Sequence, residues 1–255
     1  MRTGNRSCKI GDAERNPRAL RALFTAVAAR YDFLNHLLSL GLDFGWRRRA
    51  VAALRLKGEA PLVLDMACGT ADIALAVARR FPRARIVAED FTSAMLERGA
   101  EKIRRQGLRA RIFPVLASCE AIPHPDRTFN AALIAFGIRN VENRPKGLSE
   151  LVRVLKPGGR LVVLEFSPPI FPGWRLLCRG YCRYVLPLVA GRFSDPQAYR
   201  YLARSIEEFP DDARFRELMR AAGCVKIVQK RLFPGLVTLH VGHRPHLFRQ
   251  GRFSH

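Results

Sequence analysis

The side chains best suited to chemistry in this chain stand where predicted strands end. The stretch VLDMACGTAD (63–72) is an apolar run that leads into Cys68, Gly69 and Thr70. A second apolar run ends in Glu89 and Asp90, about 20 residues after that glycine, a separation typical of nucleotide-binding α/β folds. Because parallel strands bring their carboxyl ends to one edge of a sheet, we expect these groups to share one binding site.

The turn after the first strand is poor in glycine. Dinucleotide-binding folds use three glycines there, so that the backbone can approach a pyrophosphate at the helix N-terminus. Here Ala67 and Ala71 occupy two of those places, and no P-loop lysine follows. The turn therefore disfavours NAD, FAD and ATP and favours S-adenosylmethionine, which has no phosphate, because Gly69 with small neighbours suffices for it.

Candidate ribose and adenine contacts follow on the next two strands. Asp90 ends the second strand, where a carboxylate can accept both ribose hydroxyls. A structural alternative is that Asp90 or Thr92 caps the helix that begins near Ser93. Ser118 and Cys119 end the third strand and are candidates for the adenine edge, although capping of a surface turn explains Ser118 equally well.

The elements that must position these groups alternate between strand and helix. Helices are predicted over 72–80, 93–106, 144–155 and 211–222. Seven short apolar runs predict strands: LVLDMA, ARIVAED, ARIFPVLAS, FNAALIAF, GGRLVVLEF, CVKIVQKRL and LVTLHVGH. This pattern predicts an α/β fold with a doubly wound, mostly parallel, seven-stranded sheet, an N-terminal helical cap and a C-terminal antiparallel hairpin.

The chain divides into a short tail and one domain. Residues 1–17 are polar and basic and read as a flexible tail. The single domain over 18–255 is predicted to have four parts: a helical cap (18–57), a cofactor-binding core (60–167), a substrate lid insertion (168–209) and a C-terminal helix with strands (210–247). The cap shows helical spacing of apolar residues, interrupted at 39–45.

Composition limits the cellular setting and the partners. The formal charge of +22 indicates an anionic partner, whereas a generally Arg-rich composition explains it equally well. The six cysteines form no CxxC pair, which suits a reducing cytoplasm. No signal peptide and no spanning helix are expected. His240, His243 and His246 fall on alternating faces of a strand, so no metal site is expected.

Several longer blocks resemble one family of enzymes. The chain is similar to the ubiquinone/menaquinone biosynthesis C-methyltransferases, within the class I S-adenosylmethionine-dependent methyltransferases, from about Phe24 to Pro245. KPGG is shared by many methyltransferases, whereas RYDFLN, FGIRNV and YRYLARSI are specific to this family. The blocks are VAARYDFLNHLLSLG, VLDMACGTAD, EDFTSAML, FGIRNV, RVLKPGGRLVVLEFSPP, YRYLARSIEEFP and LHVGHRP.

The resemblance implies a cofactor, a substrate and site residues. It implies C-methylation of a polyprenylated quinol, demethylmenaquinol to menaquinol, and leaves open whether the methoxy-polyprenyl-benzoquinol of ubiquinone synthesis is also an acceptor. The CGTAD form of the loop favours the menaquinone reaction. Ser118 stands where the family more often has Asp or Asn. The implied S-adenosylmethionine contacts are Thr70, Asp90, Ser118 and Cys119, with Asp65 and Gly69 shaping the loop.

Methylation of a ring carbon needs donors that stabilise a quinolate and an acceptor for a proton. Arg139 and Asn140, after the fourth strand, suit the first role, because arginine stays protonated and is a poor base. Purely structural roles are the alternative: a surface ion pair for Arg139 and a turn cap for Asn140. The candidate proton acceptors are Asp32, Tyr31, Tyr201 and His240, of which the tyrosines serve equally well as amphipathic wall residues.

Partners follow from the substrate and the charge. A polyprenyl tail requires contact with a membrane, and the aromatic and basic stretch 170–184 is typical of a segment lying on an anionic membrane surface or of a packed cover helix. An RNA methyltransferase is the alternative enzyme, disfavoured because AFGIRN replaces the Asp/Asn-Pro-Pro-aromatic turn. A noncatalytic binding module is a third alternative. Homo-oligomerisation is left open.

Overall fold

A computed structural model describes residues 16–168 and 196–246, together with positions 173 and 180. The helices are α1 (Pro17–Val27), α2 (Tyr31–Leu38), α3 (Leu42–Ala53), α4 (Asp72–Arg80), α5 (Ser93–Arg105), α6 (Arg144–Arg153), α7 (Pro196–Glu207) and α8 (Asp212–Ala221), and Ile138–Asn140 forms a 3-10 turn. The strands are β1 (Leu62–Met66), β2 (Arg85–Asp90), β3 (Ile112–Leu116), β4 (Phe129–Ala135), β5 (Leu155–Phe166), β6 (Val225–Leu232) and β7 (Val237–His243).

One seven-stranded sheet organises the domain, in the order β3-β2-β1-β4-β5-β7-β6. The first five strands in that order are parallel, and β7 pairs antiparallel with both β5 and β6. The chain runs outward from β1 to β3 and then returns to β4 beside β1. This reversal opens a crevice at the carboxyl ends of β1 and β4, the usual ligand position in such folds. The predicted fold class is confirmed.

Helices cover both faces of the sheet because the buried strands are apolar on both sides. On β1, Val63 packs with the helices α3, α4 and α5, whereas Leu64 and Met66 pack with α6 and α8. All three side chains are fully or almost fully buried. Each such side chain contributes about 1.5–3 kcal/mol to folding by leaving water. The packed sheet therefore provides a rigid support for the loops at its carboxyl edge.

The N-terminal cap consists of α1, α2 and α3. Gly41 adopts φ +74° and immediately precedes α3 at Leu42. The interruption between α2 and α3 is therefore Ser39–Gly41, shorter than the predicted 39–45. The cap is fastened to the sheet by Trp46, which is buried and donates from Nε1 to the carbonyl of Phe233 at 2.7 Å.

Some predictions concern segments outside the described residues. The tail, up to residue 15, and most of the predicted lid and interfacial stretch lie there, so neither is tested; α7 covers the last part of the lid region. In the described part of the chain, none of the helices is long and apolar enough to cross a bilayer. The same residues contain no cluster of three or more His, Cys, Asp and Glu side chains placed to bind a metal ion.

His240 was a candidate proton acceptor, and the structure places it in the core instead. Its side chain is fully buried on β7, its ring centroid is 4.7 Å from that of Phe215, and Nδ1 lies 2.8 Å from Nε2 of Gln229. Burial lowers the pKa of His240 from 6.5 to about 4. A histidine this deeply buried cannot reach a substrate, so the prediction for His240 is wrong.

The depressed pKa of His240 predicts a pH-dependent stability. The unfolded chain binds this proton more readily, so the stabilisation is complete above pH 6.5 and is lost as the pH falls towards 4. The His240→Gln variant removes the titration. The difference in free energy of unfolding between the wild type and this variant should shrink by about 2 kcal/mol between pH 7.5 and pH 5 in urea titrations. An unchanged difference would contradict the assignment.

Candidate active site

The turn between β1 and α4, called here the cofactor loop (residues 67–71), has an unusual backbone. Ala67, Gly69 and Ala71 all adopt left-handed φ values, of +53°, +55° and +66°. For the two alanines this conformation costs about 1–2 kcal/mol each. Packing and hydrogen bonds must offset that cost, which makes the loop a preorganised element and not a flexible connection.

Two glycines outside the cofactor loop make room for its alanines. A Cβ atom on Gly137, which follows β4, would lie 2.4 Å from Cβ of Ala67. A Cβ atom on Gly99 of α5 would lie 3.2 Å from Cβ of Ala71. The alanines therefore fill the space that these glycines leave, and the cofactor loop is clamped between β4 and α5.

Asp90 holds the cofactor loop in place. Its Oδ2 accepts from the backbone N–H of Gly69 at 2.9 Å, and its Oδ1 accepts from the N–H of Thr92 at 2.9 Å. Thr92, the residue before α5, makes no side-chain cap. Of the two residues predicted as alternative caps, only Asp90 binds a backbone N–H there, that of Thr92. Burial raises the pKa of Asp90, and the two backbone hydrogen bonds oppose that rise. Asp90 thus ties the loop to the end of β2.

A first cavity of about 170 Å³ lies against this loop, at the carboxyl ends of β1, β2 and β4. Gly69 and Asp90 line it, as sequence analysis predicted for the cofactor site. An aromatic cluster roofs it: Phe24 of α1 meets Tyr31 and Phe91 edge to face, with ring centroids 6.2 and 6.1 Å apart. The helical cap therefore covers the cavity from the side opposite the sheet.

The charge of the first cavity is opposite to that of the chain. Three carboxylates, Asp90, Glu120 and Glu142, lie on its described walls, with Arg21 as the basic side chain among them. The whole chain carries a formal charge of +22. A cavity with this wall favours a cationic ligand over a polyphosphate.

Ser118 and Cys119 both line the first cavity, in agreement with their predicted position. Ser118 is exposed, and its Oγ accepts from the N–H of Glu120 at 3.3 Å, so it also caps its own turn. Cys119 is buried, and burial raises the pKa of its thiol. The Cys119 side chain is accordingly a neutral, apolar contact and not a thiolate.

A second cavity, of about 60 Å³, lies on the other side of the cap. Leu34 and Asn35 of α2, Tyr201 of α7 and Arg139 contribute to its walls. Phe24 and Tyr31 line both cavities, so the two cavities adjoin at these two rings. Two ligands bound side by side would therefore lie next to each other beside these rings.

Arg139 reaches the second cavity from the 3-10 turn and is almost completely buried. Its Nη1 donates to Oε1 of Glu165 at 2.8 Å and to the carbonyl of Phe136 at 2.5 Å. The guanidinium carbon lies 5.4 Å from the ring centroid of Phe166. The alternative of a surface ion pair is therefore wrong, because the partner acid is fully buried.

Asn140 and Tyr201 connect the two cavities. Asn140 lines the first cavity and Tyr201 the second. The hydroxyl of Tyr201 donates to Oδ1 of Asn140 at 2.9 Å. Sequence analysis predicted both residues for the site, and the structure brings them into direct contact at the boundary between the two ligand spaces.

Asp32 and Thr70 lie elsewhere. The hydroxyl of Thr70 donates to Asp32 at 2.5 Å, and Nζ of Lys102 contacts Asp32, Thr70 and Asp72 at 2.5, 3.0 and 2.6 Å. Neither Asp32 nor Thr70 lines either cavity. Asp32 and Thr70 bind each other and Lys102 and are not placed on a cavity wall, so the predicted roles of Asp32 at the acceptor and of Thr70 at the cofactor stay predictions.

Asp65 is buried beneath the cofactor loop and does not line the first cavity. Burial raises the pKa of its carboxyl well above the ordinary value, and Coulombic attraction from Arg47 opposes the rise only in part. Its position at the end of β1 suits the predicted role of shaping the loop, which stays a prediction.

Three residues of the site escaped sequence analysis. Glu165 is a carboxylate inside the apolar run RLVVLEF, and this interruption was the available signal. Lys102 follows an amphipathic helical pattern and gave no signal, because its partners come from two distant segments, at residue 32 and at residues 70–72. Phe24 is one of the apolar residues at helical spacing in the cap, and its position on the walls of both cavities depends on how the cap docks.

The sequence is similar to those of known proteins over most of its length. A model of the ubiE/COQ5 methyltransferase family matches residues 12–244. The ubiquinone/menaquinone biosynthesis C-methyltransferase UbiE of Geobacter sulfurreducens is 45% identical over 226 residues, covering 88% of each chain. The demethylmenaquinone methyltransferase of Thermus thermophilus is 45% identical over 224 residues, covering 88% of this chain and 100% of that protein.

Solved structures with the same fold have much lower sequence identity. The cyclase SpnF matches with a TM-score of 0.65 at 17% identity, covering 91% of this chain and 97% of that one. A SAM dependent methyltransferase from Aquifex aeolicus matches with a TM-score of 0.56 at 18% identity, covering 77% and 88%. These likenesses concern the fold alone, whereas the match over residues 12–244 shows that the chain belongs to the ubiE/COQ5 methyltransferase family.

Proposed function

We propose that the protein transfers a methyl group from S-adenosylmethionine to a ring carbon of a polyprenylated quinol, with demethylmenaquinol as the principal acceptor. One observation carries the proposal: two cavities adjoin at Phe24 and Tyr31, which line both, so a methyl donor in the first can contact an acceptor in the second. Membership in the ubiE/COQ5 methyltransferase family and the names of the two bacterial relatives support the same reaction.

The first cavity fits S-adenosylmethionine. This ligand carries a sulfonium and an ammonium group, and the carboxylates of Asp90, Glu120 and Glu142 provide a complementary wall. Each Asp90 oxygen accepts one backbone hydrogen bond and keeps a lone pair for a ribose hydroxyl. Ser118 and Cys119 flank the predicted adenine position. When bound, the cofactor supplies an electrophilic methyl group.

The second cavity supplies what a carbon nucleophile needs. A quinol carbon becomes nucleophilic when a neighbouring hydroxyl loses its proton, and the N–H groups of Arg139 stabilise the resulting oxyanion. Apolar side chains such as Leu34, Leu38 and Leu202 complete the wall and suit an aromatic ring. Water is thereby displaced from the reacting carbon, which strengthens the interaction of Arg139 with the oxyanion.

Proton transfer completes the reaction. The new carbon–carbon bond forms as the carbon–sulfur bond breaks, and the methylated ring then loses its hydrogen as a proton to become aromatic again. No carboxylate or histidine lies among the described residues that line the second cavity. Loss of this proton restores aromaticity, and we assign its transfer to the Tyr201 hydroxyl, which Asn140 positions: the oxygen takes the ring proton and passes one proton on to bulk water.

A methyl-transfer assay tests the proposal. Labelled S-adenosylmethionine is offered with chemically reduced demethylmenaquinol, with the methoxy-polyprenyl-benzoquinol and with bulk RNA in parallel reactions. We expect label in the naphthoquinol, and additional label in the benzoquinol would mean that the enzyme serves both pathways. Label in RNA alone would contradict the proposal and would favour the RNA methyltransferase alternative.

We also propose that the protein meets its substrate at an anionic membrane surface. The formal charge of +22 supports this proposal, as do Leu40, Phe44 and Phe233, which are large apolar side chains 81%, 60% and 75% exposed. The protein should therefore sediment with vesicles that contain phosphatidylglycerol and should be released by high salt. Equal binding to neutral vesicles, or no binding to either kind, would contradict this expectation.

A further inference from the structure

We propose that Glu165 is a positioning residue of the methyl-transfer reaction, which it serves by fixing the guanidinium of Arg139 towards the acceptor cavity. The inference rests on the proposed function for its chemistry and on the Glu165–Arg139 contacts for its geometry. Glu165 is fully buried near the end of β5 and lines neither cavity. It therefore acts through Arg139.

The contacts of Glu165 restrain both the backbone and the side chain of Arg139. Oε1 accepts from Nη1 of Arg139 at 2.8 Å, and Oε2 accepts from the backbone N–H of Arg139 at 3.2 Å. Oε1 also accepts from the N–H of Phe166 at 2.9 Å, so the carboxylate is itself held by its own strand. Such bonds to an ionised group are about twice as strong as bonds between neutral groups.

The remainder of the guanidinium is left for a ligand. Both acceptors of Arg139 described so far, Glu165 and the Phe136 carbonyl, bind the same Nη1 atom. The Nε of Arg139 is fully buried without a hydrogen-bond partner among the described residues, so it does not face the second cavity. Nη2 makes no hydrogen bond to a described residue and is not among the fully buried unpaired atoms, so an acceptor oxygen in the second cavity, which Arg139 lines, is its expected partner.

The fold makes Glu165 the natural source of this restraint. β4 pairs with β5 up to Ala135 and Leu164, so Glu165 emerges just beside the turn that carries Arg139. A neutral side chain here would still accept a hydrogen bond but would leave the arginine charge unbalanced in the protein interior. The proposal therefore assigns the effect to the carboxylate charge and to its distance from the guanidinium.

Three variants separate positioning from folding. Glu165→Gln keeps the shape and removes the charge, Glu165→Asp keeps the charge and withdraws it by one methylene, and Arg139→Gln removes the positioned group. Glu150→Gln is the matched control, because Glu150 also accepts from an arginine, Nε of Arg153 at 2.6 Å, and lines neither cavity. Melting temperatures show which variants are folded.

The steady-state kinetics of folded protein are then measured with demethylmenaquinol. We expect Glu165→Gln to lower kcat about 100-fold, as loss of one preorganised donor does, with the KM for S-adenosylmethionine unchanged. Adding Arg139→Gln should cause no further loss, because both changes remove the same interaction. Glu165→Asp should lie between the wild type and Glu165→Gln, and the Glu150→Gln control should stay within about threefold of the wild type.

A Glu165→Gln variant within threefold of the wild type, beside an inactive Arg139→Gln variant, would overturn the proposal. Should Glu165→Gln not fold, an unchanged kcat in Glu165→Asp would overturn it. If the wild type methylates no quinol, the proposed function fails, but the positioning of Arg139 can still be tested by NMR. The Nε–H signal of Arg139 is assigned by its loss in Arg139→Lys and is then followed in the Glu165 variants. Its persistence in folded Glu165→Gln or Glu165→Asp protein would contradict the proposal, and its loss would support it.

Discussion

The hydrogen bond from Gly69 to Asp90 is the contact on which the rest of the site depends. It joins the end of β2 to a cofactor loop whose Ala67 and Ala71 occupy a costly left-handed conformation. Gly99 and Gly137 make that conformation sterically feasible by leaving space for the two alanines. A loop with a single glycine can therefore be rigid, provided that glycines on the adjacent elements leave space for its other side chains.

The contact between two ligand sites is the second feature on which function depends. A methyl donor and an apolar acceptor bind in different environments but must touch at the reacting atoms. Phe24 and Tyr31 line both the acidic cavity and the apolar one, and the Asn140–Tyr201 hydrogen bond joins a residue of each. Lys102 anchors Asp32 of the cap to Thr70 of the cofactor loop. Docking of the cap and shape of the loop are thereby coupled through a few polar side chains.

The fold and the position of the first cavity could be predicted from local patterns, because strand and helix periodicity and the spacing of Gly69 and Asp90 are properties of short segments. The individual roles of the polar residues in the site could not be predicted in this way. Asp32 and Thr70 are both bound by Lys102, and His240 packs against Phe215 of α8. Glu165 gains its importance from a turn 26 residues earlier in the chain. These relations arise only when distant segments pack together.

Calorimetric titration of S-adenosylmethionine into the wild type, Asp90→Asn and Glu89→Gln tests the central claim most directly. Asp90 faces the first cavity and binds Gly69, whereas its neighbour Glu89 points to the other face of the sheet and contacts His124. The account predicts binding at least about tenfold weaker for Asp90→Asn, since hydrogen bonds to a charged group are lost, and unchanged binding for Glu89→Gln. Equal affinity of folded Asp90→Asn and wild-type protein would contradict it.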